Sequence, residues 1–406
     1  MVLTVSAPGF QRLSCTLWLA LCTLCLTAPV QATPSHTERS AGATHRKAAL
    51  SQPAGHRHKG SKPPKRQTAP ARKATAKPRS LPEAGAARSF ADHAGVLAWG
   101  SEMALRQGLD GERVQSALRQ AKSLPVVQQL VLPPATPQAK NWAAYRERFI
   151  EPRRIQAGVR FWQRHRQALE RAEQQYGVPA SIVVGIIGVE TLYGENTGRF
   201  RVLDALTTLA FEFPSAHPRA AERQRFFRDE LEHFLRMTLE AGMDPLQVRG
   251  SYAGAMGLPQ FMPSSWVRHA VDFDGDGRID LFNSASDAIG SVAQYFRAHQ
   301  WQPGQPTHFP VTVVPGQTDL ETLLAPDILP SFSPATMQAL GGALGEAALQ
   351  HPGPLALVEL RNAEQPPSYV AGTENFYAIT RYNWSSYYAM AVIELASEVS
   401  REMPRQ

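Results

Sequence analysis

The pattern of apolar and polar positions predicts a mainly helical chain from about residue 90 onward. Apolar residues recur at helical spacing from about 90 to 175, and Asp110 stands where a helix N-cap is expected. Residues 153–175 are predicted as one amphipathic helix, which Gly177 and Pro179 separate from the next one. Later helices are predicted at 201–211, 225–240, 288–299 and 387–402.

The segment from Pro179 to Tyr193 is apolar on nearly all sides, which predicts a helix buried on all its faces. Glu190 is the single carboxylate in its apolar run. Because burial disfavours the charged form, we expect a raised pKa there, as a general acid requires. The alternative is a structural glutamate paired with an arginine such as Arg199 or Arg201.

The pattern of residue types changes between about residues 306 and 378, where proline and glycine separate short apolar runs. Runs of this kind, rich in β-branched and aromatic residues, are typical of short strands. The pattern therefore predicts a small β region with strands at 311–314, 355–360 and 376–379.

Residues 1–32 combine a basic residue, Arg12, with an apolar run too short to span a bilayer comfortably, which is typical of a secretory signal peptide. The three cysteines are Cys15, Cys22 and Cys25. Residues 33–406 therefore hold no disulfide, thiolate metal site or cysteine nucleophile. Leucine precedes both Cys22 and Cys25, where a lipoprotein signal needs a small residue, so we expect a soluble exported protein of the periplasm.

Charge separates a basic segment from an acidic remainder. Residues 33–80 carry twelve Lys/Arg and one acidic residue, and residues 81–406 then have a net charge of −5 within a total of +7. The segment 33–88 has almost no large apolar residue, so we expect a disordered tether. It is either a plain spacer or an electrostatic contact with anionic envelope surfaces. Because the remainder is acidic, nucleic acid is excluded as a partner.

Residues 250–265 read GSYAGAMGLPQFMPSS. Glycines and prolines interrupt the apolar run within this stretch. Glycines let a backbone approach a partner closely. Ser251 and Gln260 are its candidate ligand-binding groups, since both offer directional hydrogen bonds. The alternative is a packed irregular turn beneath a neighbouring helix.

Asp272, Asp274 and Asp276 occupy positions 1, 3 and 5 of a pattern that matches the first nine positions of an EF-hand loop. Arg278 at position 7 contributes its carbonyl oxygen. Position 12 is an asparagine, and the next carboxylate is Asp287. We expect a structural Ca²⁺, since one isolated loop has no partner hand; the alternative is a plain acidic turn. No organic cofactor is predicted.

Residues 381–388, RYNWSSYY, mix aromatic and amide side chains before the last helix. Ring faces pack on pyranoses and an asparagine reaches hydroxyl or acetamido groups, so the stretch is typical of a sugar site. The alternative is an aromatic lid over the core with Asn383 as an N-cap.

Six motifs occur in the order VPASIVVGIIGVETLYG, LDALTTLAF, GSYAGAMGLPQFMPSS, VDFDGDGRIDLF, AIGSVAQYFRAHQW and ITRYNWSSYYAMAV. Together they resemble the membrane-bound lytic murein transglycosylase B family over residues 90–400. The resemblance implies an enzyme that cleaves the β-1,4 bond between N-acetylmuramic acid and N-acetylglucosamine in peptidoglycan and leaves 1,6-anhydromuramic acid ends.

The fold that the resemblance implies is mainly α, with a goose-lysozyme-like helical core, an N-terminal helical domain and a small β domain. Its expected organisation is a signal peptide (1–32), a tether (33–88), the N-terminal helical domain (89–175), the core with its calcium loop (176–304), the β domain (305–378) and the C-terminal part of the core (379–406).

By resemblance, Glu190 matches the catalytic acid and base of the family, a role that one carboxylate fills alone. The other implied site residues are the glycan contacts Ser251, Gln260, Tyr295, Tyr382, Asn383 and Tyr388 and the calcium ligands Asp272, Asp274, Asp276, Arg278 (through its carbonyl) and Asp287. Peptidoglycan glycan strands are the expected partner, bound by a monomer. Two alternatives are a lysozyme-type hydrolase that uses the same acid and a non-catalytic peptidoglycan-binding scaffold.

Overall fold

A computed structural model describes residues 88–133 and 140–404. The expected signal peptide and almost all of the basic tether lie outside these residues. In the described ranges the helices are α1 (Ala94–Gln107), α2 (Gly111–Arg119), α3 (Pro125–Leu130), α4 (Trp142–Glu147), α5 (Pro152–Arg164), α6 (Arg166–Tyr176), α7 (Ala180–Thr191), α8 (Val202–Phe211), α9 (Ala220–Glu240), α10 (Pro263–His269), α11 (Ala285–Ala298), α12 (Leu320–Leu324), α13 (Pro334–Ala339), α14 (Glu346–Leu349), α15 (Glu374–Tyr382) and α16 (Ser386–Glu402). The strands are β1 (Phe200–Arg201), β2 (Arg249–Gly250), β3 (His308–Val313), β4 (Gly342–Leu344), β5 (Ala356–Asn362) and β6 (Gln365–Gly372).

Helix α7 lies at the centre of the helical core, as its uniformly apolar sequence predicts. Ten of its twelve residues are buried, and it packs against α5, α6, α11 and above all α16. Pro179 is its N-cap, and Leu192 and Tyr193 end it in the left-handed region at φ 51° and 57°. The chain therefore turns sharply just after Glu190.

The N-terminal helices follow the predicted pattern with one difference. The carboxylate of Asp110 caps α2 by accepting from the amides of Glu112 (2.9 Å) and Arg113 (3.2 Å), as expected. The predicted single helix at 153–175 is wrong, because His165 leaves helical geometry at φ −112° and ψ 24° between α5 and α6. The ring of His165 packs on Phe161, with the ring centroids 4.7 Å apart.

The β region is a four-stranded antiparallel sheet in the order β4-β3-β6-β5. Strands β3 and β5 confirm two of the predicted strands. The third prediction, a strand at 376–379, is wrong: these residues lie in α15, whose N-cap is the hydroxyl of Thr373. Strand β6 was not predicted because its first half contains Pro366 and Pro367, which disfavour strands.

A glycine in α7 sets how closely the two central helices approach. A Cβ added at Gly185 would lie 2.6 Å from the carbonyl oxygen of Val392 and 3.2 Å from the Cβ of Ala396, both in α16. The backbone oxygen cannot move without displacing its helix. The small side chain therefore permits the contact that brings α16 against α7.

We expect Gly185→Ala to lower the free energy of unfolding by about 1–3 kcal/mol, the usual cost of overpacking a close contact. The gain in helix propensity, about 0.5–1 kcal/mol, offsets only part of that loss. Gly111→Ala is the control, because nothing lies within 4 Å of a Cβ at that helix start. Denaturant titration of both variants tests this; equal stability of the two would contradict the packing argument.

Candidate active site

The acid candidate lies at the exposed end of the buried helix. Glu190 is half-buried, and the hydroxyl of Tyr388 donates to its Oε1 over 2.6 Å. Tyr388 itself is fully buried in the first turns of α16. The alternative partner Arg201 bonds instead to Asp204 (2.5 Å) and to the carbonyl of Gln120 (2.6 Å). Helix α16 thus delivers a phenol donor to the carboxyl group.

Ser251 and Gln260 both hold the 250–265 loop in shape. The hydroxyl of Ser251 accepts from the amides of Ala253 (3.3 Å) and Ala255 (3.0 Å). Gln260 is in the left-handed region at φ 50°, and its Nε2 donates to the carbonyls of Thr197 (3.0 Å) and Gly257 (2.9 Å). The loop is therefore braced by the same polar groups that were expected to face a ligand.

Two further contacts tie this loop to the core. The hydroxyl of Thr191, directly after Glu190, donates to the carbonyl of Leu258 over 2.9 Å. At the far end, Glu230 of α9 accepts from the amide (2.9 Å) and the hydroxyl (2.7 Å) of Ser264. Glu230 is 3% exposed, and this burial raises its pKa. Sequence reasoning missed it, since its partner lies 34 positions away.

Aromatic residues form a wall next to the acid. The rings of Tyr382 and Tyr388 are nearly parallel (14°), with centroids 6.4 Å apart. The hydroxyl of Tyr382 donates to the carbonyl of Pro259 over 2.5 Å, which joins this wall to the loop. Tyr295 lies behind it, 6% exposed, with its hydroxyl donated to the carbonyl of Arg381 over 2.6 Å. Burial raises the pKa of Tyr295 well above its ordinary value.

Asn383 follows α15 in extended geometry and is 5% exposed. Its Oδ1 atom is buried and accepts no hydrogen bond from the part of the chain that the structure describes. Buried polar atoms are nearly always hydrogen-bonded, so an open acceptor beside Tyr382 needs an explanation. This atom is an exception to that rule, and because it is buried, it is not accessible to a ligand in this conformation.

The acidic loop brings three carboxylates together, as its pattern predicts. One oxygen each from Asp272, Asp274 and Asp276 lie within 4.8 Å of one another, and all three side chains are exposed. The carboxylate of Asp272 also accepts from the amides of Gly275 (2.7 Å) and Gly277 (2.8 Å). The loop is thus folded around acidic oxygens, the ligand type that Ca²⁺ prefers.

Asp287 is placed differently from these three. It is 1% exposed, and its oxygens accept from the amides of Phe273 (2.8 Å) and Asp280 (2.8 Å). Burial raises the pKa of its carboxyl group, while these backbone bonds act to lower it. It lies outside the group of three, and its bonds brace the two ends of the loop. Arg278 is exposed, and its side chain lies 3.5 Å from Asp276.

Comparison with known proteins identifies the family. The model of a family described as "Transglycosylase SLT domain" matches residues 92–397. The chain is 41% identical to the membrane-bound lytic murein transglycosylase B of Escherichia coli (strain K12) over 323 residues, 77% of this chain and 84% of the relative. The chain belongs to the SLT transglycosylase family.

Two solved structures extend this result to the fold. The soluble lytic transglycosylase SltB1 of Pseudomonas aeruginosa is 43% identical, with a TM-score of 0.69 over 76% of this chain and 98% of that one. The Escherichia coli lytic transglycosylase Slt35 in complex with calcium is 39% identical, with a TM-score of 0.66 over 78% of this chain and 95% of that one.

The expected family, fold class and activity are therefore confirmed: this SLT transglycosylase is mainly α with a lysozyme-like fold, and it cleaves peptidoglycan. Among residues 88–133 and 140–404, no helix combines the length and apolarity needed to cross a bilayer.

Two histidines pack behind the aromatic wall of this SLT transglycosylase. The ring of His299 stacks on Tyr295 at 4.0 Å, and His269 meets the same ring edge-on at 5.1 Å. Burial lowers the pKa of His269 to about 4, with help from the neighbouring His299 and Arg268. Native His269 is therefore neutral down to about pH 4, whereas in the unfolded chain it binds a proton below about pH 6.5.

It follows that the free energy of unfolding falls as the pH drops from about 6.5 to 4, because only the unfolded state gains this proton. We expect His269→Gln to remove part of that fall. Urea titrations at pH 7 and pH 5, on the wild type and the variant, measure the effect. A stability loss of the same size in both proteins would contradict it.

Proposed function

We propose that this enzyme cleaves the glycosidic bond between N-acetylmuramic acid and N-acetylglucosamine with one carboxyl group, Glu190, as acid and then as base. The observation that carries the proposal is the contact between Glu190 and the buried phenol of Tyr388. The acid stands at the end of a buried helix and is bonded to one of two nearly parallel aromatic rings.

In the first step, protonated Glu190 donates its proton to the glycosidic oxygen as the bond from that oxygen to C1 of muramic acid breaks. N-acetylglucosamine leaves with a hydroxyl group. The carbonyl oxygen of the muramic acid's own acetamido group stabilises the positive charge that develops at C1. Asn383, which directly follows Tyr382 in the chain, is the first candidate for orienting that group through its side-chain amide. Ser251 is the second candidate for this role.

In the second step, ionised Glu190 accepts the proton of the C6 hydroxyl while that oxygen attacks C1. This closes the 1,6-anhydro ring and restores the protonated acid. The nucleophile belongs to the same sugar, so attack gains from proximity and consumes no water. The hydroxyl of Tyr388 keeps the carboxylate aimed at the sugar and stabilises its charge between the two steps.

We assign the remaining site residues to ligand contact or to positioning according to whether their side chains are exposed or buried. Tyr382 is half-buried and offers ring surface to a pyranose. Gln260 uses its Nε2 to brace the loop, and its Oε1, which accepts no hydrogen bond within residues 88–133 and 140–404, offers an acceptor. Tyr295 is buried, so we assign it a positioning role: its hydroxyl holds the backbone at Arg381, directly before Tyr382 and Asn383. Tyr388 acts on the acid itself.

We expect Glu190→Gln to lower turnover by about 10²–10⁴-fold or more, the usual contribution of a general acid–base group. Tyr388→Phe should lower it by about 10–100-fold, which corresponds to one hydrogen bond to a charged group. The release of soluble fragments from purified sacculi measures both. Circular dichroism checks that the variants fold.

Glu195→Gln is the matched control, since Glu195 is exposed and pairs with Arg153 at the surface. It should keep activity within about twofold. If Glu190→Gln retained a tenth of the wild-type rate, or if Glu195→Gln lost as much as Glu190→Gln, the acid would be elsewhere.

We further propose that Asp272, Asp274 and Asp276, with the carbonyl of Arg278, hold a structural Ca²⁺ and that Asp287 shapes the loop around it. Support comes from the clustered oxygens and from the calcium complex of the related Slt35. Without the cation these carboxylates repel one another. A bound Ca²⁺ would neutralise these carboxylates and hold the turn that they line.

Calcium should therefore stabilise the fold by mass action. We expect millimolar Ca²⁺ to raise the Tm on the order of 5 °C above that of chelator-treated protein, and Asp272→Asn to abolish most of that shift. Asp92→Asn, at an exposed site outside the loop, should leave it unchanged. Superimposable melting curves of verified metal-free wild type with and without calcium would contradict the proposal.

The site of action that we propose is the periplasm, where peptidoglycan lies. The basic segment 33–88 would then add a salt-sensitive contact with anionic envelope surfaces. The twelve Lys/Arg and the single acidic residue of 33–80 support this, because a positive segment is attracted to an anionic surface.

A further inference from the structure

One arginine of α6 holds a residue inside the acidic loop. The guanidinium group of Arg171 donates to the carbonyl oxygen of Phe273. The same group lies over the ring of Phe273, 3.8 Å from the ring centroid. Phe273 stands between Asp272 and Asp274, two of the three clustered carboxylates. A side chain 102 positions away in the sequence is therefore bonded to the backbone between two proposed calcium ligands.

The other groups of Phe273 are held as well. Its amide donates to Oδ1 of Asp287 over 2.8 Å. The ring of Tyr176, at the end of α6, lies 6.1 Å from its ring between centroids. A Cβ added at Gly290 of α11 would lie 2.3 Å from Cγ of Phe273, so the ring has no room to move toward α11. Among these partners, Arg171 is the one whose side chain is exposed, so it can be replaced without opening the core.

This contact bears on the cation because a calcium site binds tightly when its oxygens are already gathered. The clustered carboxylates repel one another and are exposed, so an unsupported turn would let them separate. Asp272 and Asp274 occupy positions 1 and 3 of the loop, and Phe273 joins them. Holding the backbone there lowers the ordering cost that cation binding would otherwise carry, and site rigidity is one of the factors that set calcium affinity.

The charge of Arg171 acts in the opposite direction. A guanidinium group repels a nearby Ca²⁺, so by charge alone the removal of Arg171 would tighten calcium binding. The side chain is exposed, however, and water and salt weaken that repulsion. The hydrogen bond and the ring contact with Phe273 act at short range and do not depend on it. We therefore expect the loss of these two contacts to outweigh the relief of repulsion.

We propose that Arg171 is a positioning residue of the calcium site: it holds Phe273 so that Asp272 and Asp274 are in place for the cation. By linkage, a bound cation in turn strengthens the attachment of the loop to α6. The inference rests on the proposed calcium site, and it adds a residue that does not itself bind the cation.

The test measures calcium affinity by isothermal titration calorimetry on full-length, chelator-treated protein. Arg171→Met should weaken binding about tenfold, which corresponds to about 1.4 kcal/mol. Arg171→Lys should weaken it nearly as much, because an ammonium group keeps the charge but lacks the planar group that stacks on a ring. Arg166→Met is the matched control, since it removes the same charge from the start of the same helix, and its affinity should equal that of the wild type. Circular dichroism checks that each variant folds.

Unchanged affinity in Arg171→Met would overturn the proposal. Tighter binding would do so too, because repulsion would then outweigh the two contacts with Phe273. Wild-type affinity in Arg171→Lys would also overturn it, since the charge alone would then suffice. These results concern Arg171 alone when the wild type binds calcium and Asp272→Asn does not. A wild type that binds no calcium would contradict the calcium site itself, and this inference with it.

Discussion

The contact between α7 and α16 is the constraint on which the site depends. An apolar helix is stable only when all its faces are covered, and α16 covers the largest part of this one. Gly185 lets the two backbones come close, and that approach brings the phenol of Tyr388 within 2.6 Å of Glu190. A half-buried carboxyl group loses part of its hydration, and this hydrogen bond replaces some of it.

The second wall of the site is irregular backbone, and it is held by polar groups at both ends. Thr191 ties the loop to the helix that carries Glu190, and Glu230 ties the loop's exit to α9. From a left-handed backbone, Gln260 donates to the carbonyl of Gly257 within the loop and to that of Thr197 outside it. The acidic loop follows directly, and Asp287 joins its two ends. These contacts hold the irregular segment in one conformation against the helix that carries the acid.

The parts of the fold that could be predicted are those whose sequence admits one solution. An apolar stretch at 179–193 that ends in glycine has no good alternative to a buried helix. Residues 376–379 were misassigned because a short apolar run fits a strand or a helix equally well, and the N-cap at Thr373 decides between them. Strand β6 was missed because prolines disfavour strands. It forms nevertheless, because its two prolines lie in the exposed half of the strand.

For the candidate site, short-range patterns located Glu190 and the acidic loop, whereas partners distant in sequence stayed invisible. Tyr388 lies 198 positions from Glu190, and no local signal links them. Similarly, nothing in the sequence distinguished buried Tyr295 from half-buried Tyr382. Motifs thus indicate which residues take part, and packing decides whether each one touches a ligand or positions a neighbour.

The most direct test of a single carboxyl group that acts through intramolecular attack is the chemistry of the new chain ends. Sacculi would be digested by the full-length enzyme in heavy-oxygen water, and the released muropeptides would be weighed by mass spectrometry. We expect ends that are lighter than a reducing end by one water and that carry no heavy oxygen. Reducing muramic acid ends labelled with heavy oxygen would contradict it, because they require water as the nucleophile.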